Sequence, residues 1–456
     1  MAQEVRYWSG QFTDKGAMSI RHLFLAGGWV VLGGSPWALA ADAADTTAAS
    51  VAAITKPASS ILSLQQVLQA ARQSPDVLAT QRALNAARAD VLSADRAPAP
   101  TLSAGVTSID LQNGVGGGSF WSQKRVDKSL GLDWTWERGN KRALRTEAAE
   151  RTAKAVQADG QDSLLTQQIG AQAAFYDLLA AQERLQTVQA IAQSAAQLAH
   201  SAQLRLQAGD LSAQDAARTQ IEAERARADA QSAALDRQQA AWALSQWTGL
   251  AVPAGGWQAQ GNWPVSTPDT VQAEALVDPL IEQRPDVIAA RERVAAAQAA
   301  LQSAQALRKA DPSVGTSFDH FPVTSTRLLA FRVSVPLNGW ERFDGEIARA
   351  LAQEEQSRDL LQKTLLQARA ELSALVQAWQ TSARRLKIYD DNILPQATRV
   401  TAQAEAAYSK GGLTLTDLLD ARRTLKTTQL EALAVRNEHA KALGAWQLRS
   451  AAPSTP

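Results

Sequence analysis

The sequence predicts a mainly α-helical protein with a small β part, in which a unit of helix, β-hairpin, long helix and helix occurs twice. Three observations support this fold class. A glycine-centred turn motif occurs in both halves of the chain, long runs follow a heptad pattern, and short runs alternate between apolar and polar residues. Ala, Gln, Leu, Arg and Glu dominate the composition, which is typical of long exposed helices.

The bulk composition excludes several classes of protein. The 456 residues carry a formal net charge of +1, so nothing indicates a nucleic-acid partner. The sequence contains no cysteine, which excludes disulfides, thiolate metal sites and a lipid anchor on an N-terminal cysteine. It shows no nucleophile–base pair, phosphate loop or metal-ligand spacing, so we predict neither an enzyme nor a cofactor. His439 lies on a heptad seam and is predicted to be a core histidine.

Residues 1–40 have the pattern of a signal peptide region. Met18 is a second candidate start, and residues 23–32 form a short apolar core before the A-x-A cleavage pattern at 38–40. The alternative is an N-terminal membrane anchor, but the apolar core is short for a membrane span. Residues 41–60 are rich in Ala, Thr and Ser and are predicted to be a disordered lead-in.

A helical turn is the clearest repeat in the chain. It is centred on Gly209 and recurs, at an offset of 202, on Gly411. Glycines can adopt the left-handed conformation that ends a helix, and Gly411 is followed by Gly412. Ser212 and Thr414 each precede an aspartate by three residues, a capping pattern that begins the next helix. We therefore predict one helical reversal, built twice.

Two further landmarks repeat in the same order. The tripeptide at 75–77, Pro-Asp-Val, recurs at 285–287, and the segment W-E-R-G-N-K-R at 136–142 has a counterpart at 336–342. We therefore predict an internal duplication. Its parts are a first repeat at 61–250, a linker at 251–272, a second repeat at 273–450 and a tail at 451–456.

The helices are predicted from heptad periodicity. The first helix of each repeat is expected at 64–94 and 271–309, and the long helices are expected at 140–208 and 341–410. The return helices carry seams of residues seven apart, namely Ile221, Ala228, Leu235 and Trp242, and Leu425, Ala432, His439 and Trp446. Such thin seams bury little area alone, so these helices need neighbours on both sides, as in a tube.

Four segments alternate between apolar and polar residues, as β-strands do. They are expected at about 101–111, 130–136, 313–321 and 329–335. The apolar positions of the second and fourth segments are Leu130, Leu132, Trp134 and Trp136, and Leu329, Phe331, Val333 and Val335. This pattern is typical of a half-buried sheet or of transmembrane β-strands.

Four strands are too few to close a membrane barrel, and open sheet edges are not tolerated in lipid. Three copies of the chain would supply about twelve strands and twelve helices in cross-section. We therefore predict a homotrimer in which a 12-stranded β-barrel, in contact with outer-membrane lipid, continues into a 12-helix α-barrel. The alternative is a soluble periplasmic coiled coil with a small β-domain, but a soluble strand rarely exposes Trp134 and Trp136 together.

On these residues the chain resembles the TolC-like outer-membrane factors, the trimeric exit ducts of tripartite exporters. The resemblance covers about residues 64–446 and rests on the duplicated P-D-V, the duplicated G-x-L-[ST]-x-x-D and the sequence D-L-L-D-A-R at 417–422. The W-E-R-G-N-K-R segment is similar to the E-x-G-G-K-R of the CzcC-like branch, which serves heavy-metal efflux. Asn140 replaces the second glycine of that pattern.

The resemblance implies an outer-membrane duct with a long periplasmic extension that exports heavy-metal cations. It also implies two partners, a periplasmic adaptor (membrane fusion protein) and a proton-driven inner-membrane pump of the resistance–nodulation–division type. The alternatives are the same duct serving multidrug efflux or type I protein secretion, and, in a different class, a periplasmic coiled-coil adaptor. An adaptor would show one helical hairpin rather than a duplicated unit.

The resemblance also places a periplasmic gate at the turns. Asp417 and Asp420 fall on an acidic constriction, and Asp215 and Tyr408 fall on positions that bond between neighbouring coils. Leu413 stands where some relatives carry a latching arginine, which favours a gate held by apolar contacts. The tip residues expected to dock the adaptor are Arg205, Leu206, Gly209, Leu211, Gly411 and Gly412. The alternative for Asp215 and Asp417 is simple helix capping.

Overall fold

The computed structural model describes residues 61–114, 117, 125–264, 274–322, 324–337 and 342–451. The signal peptide region at 1–40, the lead-in at 41–60 and most of the tail lie outside these residues. The elements in chain order are β1 (Ile61–Ser63), α1 (Leu64–Arg72), α2 (Pro75–Ala94), β2 (Thr101–Thr107), β3 (Asp127–Thr135), α3 (Lys141–Gln207), α4 (Ala213–Thr248), β4 (Gln258–Gln260), α5 (Val277–Gln283), α6 (Pro285–Ala306), β5 (Ser313–Phe321), β6 (Ser325–Ser334), α7 (Asp344–Ile388), α8 (Leu394–Ser409) and α9 (Leu415–Ser450). Within the described ranges, no helix combines the length and apolar character needed to cross a membrane.

The first helix of each repeat is broken, which corrects the prediction of single helices at 64–94 and 271–309. The breaks precede Pro75 and Pro285. A residue that precedes proline is disfavoured in the α conformation, and Ser74 and Arg284 have extended backbones with ψ of 151° and 132°. The repeated Pro-Asp-Val therefore begins a helix instead of lying within one.

Strands β2, β3, β5 and β6 form one antiparallel sheet in that order. Strand β5 matches its predicted range, whereas β2 ends at Thr107 rather than at 111, and β3 and β6 begin earlier than expected. The left-handed conformation of Ser108, with φ of 60°, ends β2. Strands β3 and β5 join the hairpins of the two repeats. In the described part of the chain, β2 and β6 are the outer strands and each has one neighbour.

One face of this sheet is apolar and exposed, as the alternation predicted. The register places Leu132 beside Leu102, and Phe318 between Leu130 and Leu329. The exposed apolar side chains are Leu102, Val106, Leu130, Leu132, Trp134, Val314, Phe318, Leu329, Phe331 and Val333. The opposite face carries mainly small or polar residues, with Leu328 as an exception, and at Gly131 an added Cβ would lie 2.7 Å from the Oγ of Ser103. The sheet therefore presents an apolar face to its surroundings and a close-packed polar face on the other side.

The long helices dominate the rest of the molecule. Helix α3 has 67 residues and is on the order of 100 Å long, as predicted. Its counterpart is interrupted by a π-helical segment at Tyr389–Ile393, which corrects the prediction of an unbroken helix at 341–410. Pro395 follows this segment, and its missing N–H and its ring disturb the regular hydrogen-bond ladder of the helix.

The predicted seams of the two return helices differ in burial. In α9, Ala432, His439 and Trp446 are buried, and Trp446 stacks on Trp379 with ring centroids 6.2 Å apart. In α4 the seam of Ile221, Ala228, Leu235 and Trp242 is exposed in a single chain, and alanines such as Ala223, Ala233 and Ala241 are buried instead. Helix α4 therefore keeps an apolar stripe that none of the described residues of the chain covers.

The segment that follows α4 is anchored against the helices by tryptophans. Trp257 is fully buried, and Trp263 stacks on Tyr176 at a centroid distance of 5.9 Å. The indole Nε1 of Trp263 also donates a hydrogen bond to Glu183 at 2.8 Å. Strand β4 pairs in parallel with β1, which fixes the start of the first repeat beside this segment.

His439 gives a pH-dependent stability that can be tested. Its side chain is 1% exposed, and burial lowers its pKa. Folding therefore favours neutral His439, and this contribution is present above the ordinary pKa of 6.5 and is lost as the pH falls below it. We expect the wild type to lose stability between pH 7 and 5, by at most about 1.4 kcal/mol per pH unit from this group. The loss should be smaller in His439→Gln and unchanged in His200→Gln, an exposed control, as measured by thermal unfolding in detergent.

Candidate functional site

The two helical turns have the same hydrogen-bond pattern. In each turn a backbone N–H reaches back five residues to the end of the preceding helix. The bonds run from Asp210 N to Arg205 O at 2.8 Å and from Gly412 N to Ala407 O at 2.9 Å. Gly209 and Gly411 are left-handed, with φ of 79° and 74°, so each needs glycine at that position. The offset of 202 seen in the sequence is thus repeated in the backbone geometry.

Both following helices begin with the predicted cap. The Oγ of Ser212 accepts the backbone N–H of Asp215 at 3.1 Å and donates to the Asp215 carboxylate at 2.8 Å. Thr414 does the same with Asp417, at 3.2 and 2.6 Å. Both carboxylates therefore support helix starts.

Tyr408 bonds to an arginine that the sequence had placed at the adaptor surface. Arg205 Nη1 donates to the Tyr408 hydroxyl at 3.1 Å, and its Cζ lies 5.9 Å from the centre of the Tyr408 ring. Arg205 Nε donates to Asp210 at 2.9 Å, and this bond raises the pKa of Arg205. Within one chain Asp215 bonds to Ser212 rather than to Tyr408. Sequence reasoning missed this link because its two residues lie on turns about 200 positions apart.

Further contacts join the two hairpins. We call α3, α4 and their turn the first hairpin, and α8, α9 and their turn the second hairpin. Arg423 Nη2 lies 2.9 Å from the Glu222 carboxylate, and Arg218 Nη1 donates to the Thr416 hydroxyl at 3.2 Å. The hydrogen bond from Arg423 lowers the pKa of Glu222. The turn region of one chain is therefore held together by polar contacts between its two repeats.

The acidic pair of the second turn lies on the outside of this arrangement. Asp417 and Asp420 are exposed, and the Asp420 carboxylate is 3.6 Å from Arg423 Nη1. Leu413, in the turn before α9, is half-buried, whereas Leu418 on α9 is buried. Within the residues the structure describes, no three His, Cys, Asp or Glu side chains form a group suited to hold a metal ion.

The Arg205–Tyr408 link can be tested by two substitutions that separate its parts. Tyr408→Phe removes the hydroxyl and keeps the ring beside the guanidinium, whereas Arg205→Ala removes both contacts. We expect Arg205→Ala to increase the ion conductance of the duct predicted from the sequence, measured after reconstitution in a lipid bilayer, more than Tyr408→Phe does. The matched control is Arg227→Ala, an exposed arginine on α4 away from the turns. Equal conductance in all three variants would show that the link does not restrict the opening.

Comparisons with known proteins agree with this architecture. The model of the family described as outer membrane efflux protein matches residues 32–250 and 276–448. The cobalt-zinc-cadmium resistance protein CzcC of Cupriavidus metallidurans is 27% identical over 309 residues, which are 66% of this chain and 71% of CzcC.

Solved structures share the fold. The outer membrane protein VceC of Vibrio cholerae superposes with a TM-score of 0.72 at 19% identity, covering 85% of this chain and 96% of VceC. The CmeC outer membrane channel of Campylobacter jejuni gives a TM-score of 0.72 at 16% identity, covering 86% of each chain. These matches confirm the predicted fold class and the resemblance stated from the sequence. The chain belongs to the outer membrane efflux protein family and is an efflux channel of the outer membrane.

Proposed function

We propose that this chain is the outer-membrane duct of a tripartite efflux system that exports heavy-metal cations. The observation that carries this proposal is the match to CzcC, a cobalt-zinc-cadmium resistance protein, over two thirds of the chain. The proposed partners are a periplasmic adaptor and a proton-driven pump of the resistance–nodulation–division type in the inner membrane. The cations are cargo, and the pump selects them.

The proposed assembly is a homotrimer. The four-stranded sheet has outer strands β2 and β6, and its apolar face exposes Trp134 by 63% and Phe331 by 77%. In a membrane these edges need partner strands, and two further copies would supply them. The uncovered stripe of α4, which includes Leu235 and Trp242, supports contact with a neighbouring copy in the helical part as well.

The proposed gate lies at the turns of the second hairpin. Three copies of Asp417 and Asp420 would place about six carboxylates around one axis, which attracts cations and repels anions. Tyr408, tied to Arg205, and Asp215, fixed at its cap, would hold the hairpins of each chain in place around that ring. Leu413 would contribute apolar contact. The turn residues that would dock the adaptor are Arg205, Leu206, Gly209, Leu211, Gly411 and Gly412.

A deletion strain tests the cargo. We expect the strain to become more sensitive to at least one of zinc, cadmium, cobalt, nickel, copper and silver, and to regain resistance when the wild-type gene is supplied. Sensitivity to dyes or antibiotics alone would favour multidrug efflux. Loss of a secreted protein alone would favour type I secretion.

A further inference from the structure

The W-E-R-G-N-K-R segment forms the junction between the sheet and the helices, and the structure fixes its turn firmly. The N–H of Trp136 donates to the carbonyl of Pro312 at 2.8 Å. The Asp311 carboxylate accepts the N–H of Arg138 at 2.8 Å and the ammonium of Lys141 at 2.7 Å. Residues of the second repeat therefore stabilise this turn. The Arg138 side chain takes no part in the bonds that fix its backbone.

The junction is rich in positive charge. The described segments 95–96, 136–145, 308–312 and 342–344 hold eight Arg or Lys against four Asp or Glu, whereas the whole chain has a net charge of +1. These four carboxylates already have cationic partners among the described residues. The pairs are Asp95 with Arg142, Glu137 with Arg145, Asp311 with Lys141, and Asp344 with Arg308.

Four cations of the junction, Arg96, Arg138, Lys309 and Arg342, have charged ends without a bonded partner among the described residues, and two of these, Arg138 and Lys309, meet at one turn. The side chains of Arg138 and Lys309 are exposed and make no hydrogen bond or ion pair with the described residues. They belong to different repeats but share one turn, because the Lys309 chain lies over Gly139, where an added Cβ would be 2.7 Å from its Cδ. Arg138 and Lys309, which lie far apart in the sequence, thus form one small cationic surface.

Exposed apolar side chains lie at the end of the sheet where the junction begins. Trp136 follows β3 and is 73% exposed, and Leu337 follows β6 at the same end of the sheet and is 85% exposed. The sheet continues this apolar character through Trp134. In membrane proteins tryptophan lies at the level of the lipid headgroups, with arginine and lysine just beyond the apolar band. The junction has the same order, with the cations on the helical, periplasmic side.

We propose that Arg138 and Lys309 bind the phosphate of a phospholipid in the periplasm-facing leaflet of the outer membrane, with Trp136 against the lipid. A guanidinium can donate two parallel hydrogen bonds to a phosphate, and an ammonium adds a second charge. The site sets the depth of the channel at the membrane boundary. It depends on the outer-membrane location and not on the identity of the cargo or on the gate.

The test is native mass spectrometry of the full-length protein, purified in detergent and titrated with dioleoyl phosphatidylglycerol. Arg138→Ala/Lys309→Ala should weaken lipid binding about tenfold. The control, Arg227→Ala/Arg399→Ala, removes two exposed cations on α4 and α8 that likewise have no bonded partner among the described residues. It should bind lipid as the wild type does.

Three outcomes would overturn the site: equal loss in both double variants, no loss in either, or displacement of the lipid by millimolar inorganic phosphate, which would indicate a site for free anions. If the junction variant does not assemble, the wild type alone can still test the proposed lipid site. Raising NaCl from about 0.05 to 0.5 M should then release phosphatidylglycerol from the wild type, because salt screens exposed charges. Binding that does not respond to salt would contradict the proposal.

Discussion

Asp417→Asn combined with Asp420→Asn should remove most of the cation preference that we propose for the channel. In the proposed trimer this change removes about six negative charges from one ring, and a surface of one sign can raise the local concentration of counter-ions tenfold or more. We expect the ratio of potassium to chloride permeability, measured from reversal potentials in planar bilayers, to fall about tenfold at low salt. The difference should shrink at about 1 M salt, where charges are screened within a few ångströms.

A matched control uses the same number of charges elsewhere. Asp359→Asn/Asp391→Asn removes two exposed carboxylates, one on α7 and one in the π-helical segment, and both lie away from the second turn. Asparagine can still accept the hydrogen bond from Thr414 that Asp417 now accepts, so the start of α9 should survive in the test variant. If the control changes selectivity as much as the test variant does, the ring at the turns has no special role.

The fold was predictable wherever the sequence repeats a local signal. Gly209 and Gly411 ended helices because both positions need a left-handed backbone, and Ser212 and Thr414 began the next helices because each caps a free N–H. Such signals act within a few residues, so they can be read without knowing what lies nearby in space.

The errors in the predicted helix bounds came from prolines inside apparently continuous helical patterns. Pro75 and Pro285 stand in heptad-like runs, and periodicity alone gave one helix where the backbone makes two. The π-helical segment before Pro395 is a milder form of the same effect. Proline acts on the residue before it and on a carbonyl one turn back, and hydrophobic periodicity does not register either effect.

The candidate site was only partly accessible from the sequence. The acidic pair and the two turns could be found from spacing, but the contacts between repeats could not. Arg205 meets Tyr408, and Arg423 meets Glu222, only because the two hairpins pack side by side. The residues in these contacts are long polar side chains on helix surfaces. Periodicity gives no indication of which of them meet.

Exchanging the charges of Glu222 and Arg423 should show whether the two hairpins move relative to each other when the channel opens. Glu222→Arg alone places two arginines together, and Arg423→Glu alone places two glutamates together. Each single variant should therefore separate the hairpins and increase conductance. The double variant restores an opposite pair and should return conductance toward the wild type, with a coupling on the order of 1 kcal/mol because the pair is partly exposed.

The Glu222–Arg423 pair also predicts the direction in which conductance changes at acid pH. Because Arg423 lowers the pKa of Glu222 in the folded chain, the ion pair contributes fully above the ordinary glutamate pKa of 4.5 and is lost as the pH falls below it. Wild-type conductance should therefore rise as the pH falls from 5 to 3, and Glu222→Gln should show a smaller rise from a higher starting value. Wild type and Glu222→Gln responding alike would mean that other carboxylates carry the acid effect, and the double exchange would then be expected to show no coupling.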